Sequence, residues 1–337
     1  MKTGKILLAH GAGGRLTRRL VEEVFLPAFQ NPFLATLSDA AILPELPPGR
    51  PALTTDGFVV DPPIFPGGDL GYLSVCGTVN DLAVAGARPL WLTWALILEE
   101  GVPEALVKTC VQGASRAAAE AGVTLVAGDT KVVPRGKGDK LFVTTAGLGV
   151  VPPGRDLGDH RIVPGDVVIA TGPVGDHGAT IMACRHALAS EGLRSDVSPL
   201  NGLLERVFAV EGVRSAHDPT RGGALGICHE VASRTGLRVL LDESTLPVRA
   251  EVSAVCELLG LHAVAMACEG RALIWVAPEA AERVLESLRD HPLGRGAAVA
   301  GRVEGARAGR SPVAMTTVSG EERPLDLLSG SELPRIC

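Results

Sequence analysis

The sequence predicts an α+β protein made of two mixed units lying side by side. Three observations carry that expectation. The 337 residues are enough for two ordinary cores. Apolar residues make up 46% of the chain but aromatic ones only 3%, so those cores must be built from Ala, Val, Leu and Ile. Strand-like and helix-like segments are intermixed in both halves, and Pro152-Pro153-Gly154 reads as the linker between them.

The elements follow in chain order. Residues 1–34 read as an N-terminal arm: a short apolar run, the turn His10-Gly11-Ala12-Gly13-Gly14, and an amphipathic helix through Val21 and Phe25. The first unit, 35–152, has strand candidates at Pro51–Thr55, Pro89–Leu98, Val123–Ala127 and Phe142–Val150, with helices at Leu73–Ala85 and Pro103–Ala121. The second, 153–319, opens with the buried-strand run Val167–Ala170. Helices are expected at Thr180–Ala189, Gly223–Thr235, Ala250–Leu259 and Pro278–Asp290, and a strand at Ala272–Val276. The last eighteen residues, 320–337, are polar or Pro-punctuated and read as a flexible tail ending Pro334-Arg335-Ile336-Cys337. Extended, such a tail reaches roughly 60 Å, enough to leave the body and return.

Composition excludes several classes. Net charge is −6 with no run of either sign, so the basic stripe of a nucleic-acid binder is missing. The seven cysteines include no CxxC pair, which argues against a disulfide framework or a zinc site. No 18-residue apolar stretch and no leader pattern occur, so the expected location is the cytoplasm, with no membrane contact.

The residues suited to chemistry are acidic. Asp39, Asp56, Asp81, Asp129 and Asp218 each stand beside small residues, at expected strand ends or helix starts. Hard oxygen donors of this kind suit Mg²⁺ bridging a nucleotide's phosphates, and small neighbours admit the nucleotide to the backbone. Any one of them alone reads equally as a turn or N-cap aspartate. The glycines at 11–14, with Arg15 and Arg18, suit a phosphate cradle or a plain flexible arm. Gly172 to Gly178, between a strand and a helix, suits a ligand turn or a structural one with His177 satisfied. Five internal cysteines (Cys76, Cys110, Cys184, Cys228 and Cys256) read as small core residues. Cys337 is different. A terminal thiol beside the chain's own carboxylate is a poor nucleophile, so the tail reads as a substrate-like arm processed in a separate site.

Together, HGAGG at 10–14, the 65–89 stretch ending NDLAVAGARP, GDTKVV at 128–133, GDHGA at 175–179, DPTRGG at 218–223, CELLGL at 256–261 and the closing PRIC resemble the PurM-like ATP-binding superfamily. Within it they resemble the HypE family of hydrogenase maturation factors. That resemblance implies a homodimer whose N-terminal halves share a β-barrel, with ATP near the interface. It implies ATP-dependent dehydration of an S-carbamoyl group on Cys337 to S-cyanate, with release of ADP and phosphate, for the cyanide ligands of [NiFe]-hydrogenase iron. The implied partners are the carbamoyltransferase HypF and the HypC–HypD complex. By motif matching, His10, Gly11, Gly13, Asp39, Asp56, Asn80, Asp81, Gly128, Asp129, Thr130, Asp218 and Arg221 would bind ATP, and the five aspartates Mg²⁺. Lys131 and Glu269 would lie near the thiocarbamate, either one serving as the base. Two departures from the family pattern stand out: Cys268 where Asn is common, and His217 where Arg is common. The first is expected to weaken a hydrogen bond that positions the tail, the second to make a phosphate-side cation pH-dependent. Two other readings fit a weaker resemblance: a PurM-like enzyme that phosphorylates a small-molecule oxygen, such as an aminoimidazole ribonucleotide synthetase, and a binding protein with ATP as structural ligand and its tail as a docking peptide.

Overall fold

The computed structural model describes residues 4–188, 191–327 and 336–337. Ala189 of the expected fourth helix and Leu333–Arg335 of the closing motif lie outside the described residues.

The arm carries α1 (Arg15–Leu20), a π-turn (Val21–Phe25), α2 (Leu26–Ala28) and α3 (Pro32–Ala35). Then come β1 (Arg50–Phe58), the hairpin β2 (Ile64–Phe65) and β3 (Gly68–Asp69), α4 (Leu70–Val84), β4 (Arg88–Glu99), α5 (Glu104–Ala121), β5 (Thr124–Val133) and β6 (Leu141–Val151). The main sheet has the order β1-β6-β4-β5. Asp69 caps α4 by accepting from the Tyr72 N–H at 3.0 Å. Every residue of α4 except Tyr72 and Asp81 is buried, as an apolar helix between layers must be. It presses on α5 so closely that a Cβ on Gly71 would lie 1.7 Å from the Cys110 carbonyl oxygen. Gly71→Ala is therefore expected to destabilise the fold by about 3 kcal/mol, read as a lower urea midpoint.

Alternation assigns the faces of this sheet. Thr54 and Asp56 of β1 turn toward α4, where Thr54 Oγ1 donates to Asp81 at 2.8 Å and Thr78 Oγ1 to Asp56 at 3.1 Å. Leu53 and Thr55 take the other face, and Leu53 is 77% exposed. β5 runs parallel to β4 through Val133, with Ala95 opposite Asp129 and Ile97 opposite Lys131. The expected strand end at Ala127 is thus corrected: Asp129 lies mid-strand, its side chain on the face away from α4. Asp56 is likewise inside β1, which continues three residues past Thr55.

The second unit contains β7 (Val167–Ala170), α6 (Asp176–Arg185), α7 (Asn201–Val207), β8 (Val213–His217), α8 (Gly223–Thr235), β9 (Arg238–Asp242), α9 (Ala250–Leu259), β10 (Leu273–Val276), α10 (Ala281–Arg289), β11 (Ala298–Glu304), β12 (Val313–Thr316) and β13 (Glu322–Pro324). Its sheet has the order β13-β12-β9-β11-β7-β10-β8. All of β10 is buried: Leu273 and Trp275 pack with α8, Ile274 and Val276 with α7 and α10. A sheet covered on both faces explains these unbroken apolar runs. β13 corrects the expectation of a tail structureless from residue 320, since Glu322–Pro324 pairs with β12.

The units are joined by α4, whose Ala83 and Val84 enter the core of the second sheet. Glu205 on α7 accepts from Arg88 Nε at 2.9 Å and Arg155 Nη1 at 2.8 Å, and these guanidiniums hold its carboxyl down at about 2. No helix among the described residues is long and apolar enough to cross a membrane.

Candidate active site

A cavity of about 620 Å³ opens where β1, α4, the β8–α8 loop and the chain terminus meet. Asp56, Asp81, Asp218, Arg221, Glu269 and Cys337 all line it. β1 supplies Asp56 and α4 supplies Asp81, each set by its threonine partner. The β8–α8 loop supplies Asp218 and Arg221. It enters α8 through Gly222 and Gly223 at φ 75° and 61°, and a side chain on Gly223 would strike the Met266 carbonyl at 2.4 Å.

The electrostatics are one-sided. Burial, then the charge of Asp56, pushes Asp81 up to about 6. Burial and the charges of Asp81 and Asp56 push Asp218 up to about 7. Glu269 is 2% exposed, its Oε1 has no hydrogen-bond partner among the described residues, and burial with the charge of Asp218 raises it far above a usual carboxyl. Arg221 offsets part of this at Asp56 and Asp81. Such mutual repulsion is what a bound cation relieves. Among the described residues no group of three His, Cys, Asp or Glu converges on one metal-ion position. Carboxylate oxygens so placed are hard donors, suited to a hard cation that takes its other ligands from phosphate oxygens and water.

The chain terminus lies inside this cavity. Val59 N–H donates to a terminal carboxylate oxygen of Cys337 at 3.2 Å, and Ile336 is buried in the first core. Burial, then the charge of Glu269, pushes the Cys337 thiol up to about 12. Docked, it is protonated at neutral pH and is no nucleophile.

The other expected site residues lie elsewhere. Asp39, Gly128, Asp129 and Thr130 line a second cavity of about 300 Å³, walled by Phe25, Phe29 and Trp94. Lys131 Nζ donates to Asp129 Oδ1 at 3.0 Å and holds that carboxyl low. Lys131 does not share the cavity of Glu269 and Cys337 within one chain. His10 sits in the 3₁₀ turn Leu8–Gly11, its Nδ1 accepting from Leu7 N–H at 2.9 Å. Gly11 is pressed against Val132 of β5, and the Gly13 N–H is engaged by Thr17 Oγ1 at 3.0 Å. These three line neither cavity. Asn80 is 1% exposed, and its amide is taken up behind the site. It donates to the Ser198 and Glu269 carbonyls at 3.1 Å each and accepts from Leu200 N–H at 2.8 Å.

Of the two departures, His217 corrects the expectation of a phosphate-side cation. His217 Nε2 lies 2.7 Å from Asp159 Oδ1, and the ring packs edge-on against Trp275; it does not line the cavity. Cys268 Sγ accepts from Gly175 N–H at 3.1 Å, so it braces the turn before α6. Sequence reasoning missed the supporting Thr54 and Thr78, and the contact between His177 and the tail. The period-two pattern of β1 and the i, i+3 spacing of Thr78 and Asp81 carry the first signal; nothing local carries the second.

Two family models match the chain: AIR synthase related protein, N-terminal domain, over 37–151, and its C-terminal domain over 163–313. The carbamoyl dehydratase HypE of Rhodobacter capsulatus is 47% identical across 100% of this chain and 99% of its own length. The crystal structure of the hydrogenase maturation protein HypE in complex with ATP superposes with a TM-score of 0.93 at 41% identity, covering 98% of this chain and 99% of that one. HypE in a HypE–HypF complex superposes at 0.79 with 40% identity, over 92% and 99%.

Proposed function

This chain belongs to the HypE carbamoyl dehydratases of the AIR synthase related family, and we propose on that footing that it uses ATP to dehydrate an S-carbamoyl group on its own Cys337. The observation that carries the reading is the docked terminus: Cys337 shares one cavity with Glu269 and with three aspartates suited to a metal–phosphate complex.

An amide oxygen is a poor leaving group. The thiocarbamate oxygen attacks the γ-phosphorus of ATP, the bond to ADP breaks, and the oxygen becomes part of a leaving phosphate. A base removes the N–H protons, the C≡N bond closes, and the C–O bond breaks. The products are S-cyanate, ADP, phosphate and a proton. Glu269 is our base: buried, raised, and with one oxygen unengaged among the described residues. Asp56, Asp81 and Asp218 would hold Mg²⁺, which neutralises charge on the phosphates. Asp81→Asn should leave the fold intact and lower nucleotide turnover about tenfold, with partial recovery at high Mg²⁺ in a phosphate-release assay.

The working unit we propose is a homodimer with ATP near its interface. The outward face of the first sheet supports it, because that face exposes Leu53 and also carries Asp129 and Lys131. A second copy packed there would bring Asp39, Asp129 and Lys131 to the nucleotide, along with the glycine turn at His10. Light scattering of the purified protein reads this state. Loading of Cys337 falls to HypF, outside the cavity, because the docked thiol is protonated. The nitrile then passes to iron on HypC–HypD.

A heavy-oxygen label in the carbamoyl group tests the chemistry. The label is expected in inorganic phosphate; label released as water would overturn the phosphorylated intermediate.

A further inference from the structure

The terminus is held at a second point by a residue that none of the chemistry above requires. His177, in the first turn of α6, is fully buried, edge-on to Phe65 at 5.4 Å. Its Nε2 lies 2.8 Å from the Ile336 carbonyl oxygen and its Nδ1 2.8 Å from Ser195 Oγ. A carbonyl only accepts, so Nε2 carries the hydrogen. Burial lowers the pKa of His177 and so favours the uncharged ring, in whose Nε2–H tautomer Nδ1 accepts from the Ser195 hydroxyl. Ser195 Oγ in turn accepts from Val197 N–H at 3.1 Å. The chain of donors therefore runs one way, from Val197 through Ser195 and His177 to the tail.

The segment at the far end of that chain also holds the base. Asp196 Oδ1 accepts from Glu269 N–H at 3.1 Å, and Ser198 N–H donates to the Glu269 carbonyl at 3.4 Å. Gly270 packs so tightly on it that a Cβ would lie 1.9 Å from the Asp196 carbonyl oxygen. The same segment touches the first unit, where Ser195 N–H donates to the Pro66 carbonyl at 2.9 Å and Asn80 donates to Ser198. We propose that His177 and Ser195 are a positioning pair: a latch on the Ile336 carbonyl that fixes the tail in the cavity and ties its docking to the placement of Glu269. With the tail withdrawn, the Nε2–H would be buried without this acceptor, so the latch favours the docked state.

The proposal rests on the reading of Cys337 as carrier, but docking can be measured without the chemistry. Full-length, uncharged protein is treated with iodoacetamide in the absence of ATP and transferase, and modification of Cys337 is followed by mass spectrometry with fragmentation. His177→Phe keeps the ring packing and removes the donor. It should raise the alkylation rate of Cys337 by about tenfold. Ser195→Ala, a smaller change, should raise it by about threefold, and His177→Gln, which can still donate, should fall between wild type and His177→Phe. In single-turnover assays the same order should appear in slower dehydration, with loading by the transferase undiminished. Equal Cys337 alkylation in wild type, folded His177→Phe and Ser195→Ala would overturn the latch. If the alkylation order holds while wild-type protein forms no thiocyanate, the latch stands and the dehydratase reading falls.

Discussion

Replacing Cys337 with alanine will abolish thiocyanate formation and leave ATP binding intact. The variant keeps the backbone contacts of the terminus to Val59 and His177 and the buried Ile336, so the tail still docks. What it loses is the atom that carries the carbamoyl group. Five other cysteines, Cys76, Cys110, Cys228, Cys256 and Cys268, are buried. Burial raises every one of those thiols, Cys110 and Cys228 to about 12, which leaves them unreactive. Cys184 lines neither cavity. No detectable product is expected when cyanide released from the protein is measured after incubation with transferase, carbamoyl phosphate and ATP. Nucleotide affinity, read by calorimetry, should stay within about twofold of wild type, since the aspartates and Arg221 are unchanged.

Glu269→Gln should slow dehydration by about 10²–10⁴-fold, the range for loss of a positioned base. The side chain keeps its size, and the backbone bonds from Asn80 and to Asp196 are unaffected. A neutral amide cannot take on charge beside Asp218 and has no buried charged form to desolvate, so the thermal midpoint should hold or rise. A single-turnover rate and a melting curve on the same sample separate the two effects. A normal rate would move the base to Lys131, and with it to a second copy of the chain.

The architecture was legible where glycines punctuate apolar periods. α8 and α9 end at Gly236 and Gly260 in left-handed geometry, and both match the sequence expectation residue for residue. β7, covered on both faces, reads as an unbroken apolar run. β5 was cut short because Gly128-Asp129-Thr130-Lys131 looks like a turn; its backbone pairing with β4 carries the strand through polar residues on an edge. β13 was hidden for the same reason: a three-residue strand has no period to read.

The candidate site was legible as a set of donors but not as geometry. An aspartate beside small residues reveals an oxygen donor without saying which face of a sheet it takes. Asp56 turns toward α4 and Cys337, whereas Asp129 and Lys131 turn away, and only strand register decides that. Asn80 shows the converse: a polar residue inside a recognisable motif serves to hold Glu269 and the two units together. The fate of the tail was not legible at all, because its anchors, Val59 and His177, lie far away in the chain.

The intact mass of the C-terminal peptide tests the central claim most directly. After incubation with transferase and carbamoyl phosphate, the peptide ending in Cys337 should gain one carbamoyl group; on addition of Mg-ATP it should lose one water. A peptide that never acquires the group, or one that loses water equally well without ATP, would contradict the account.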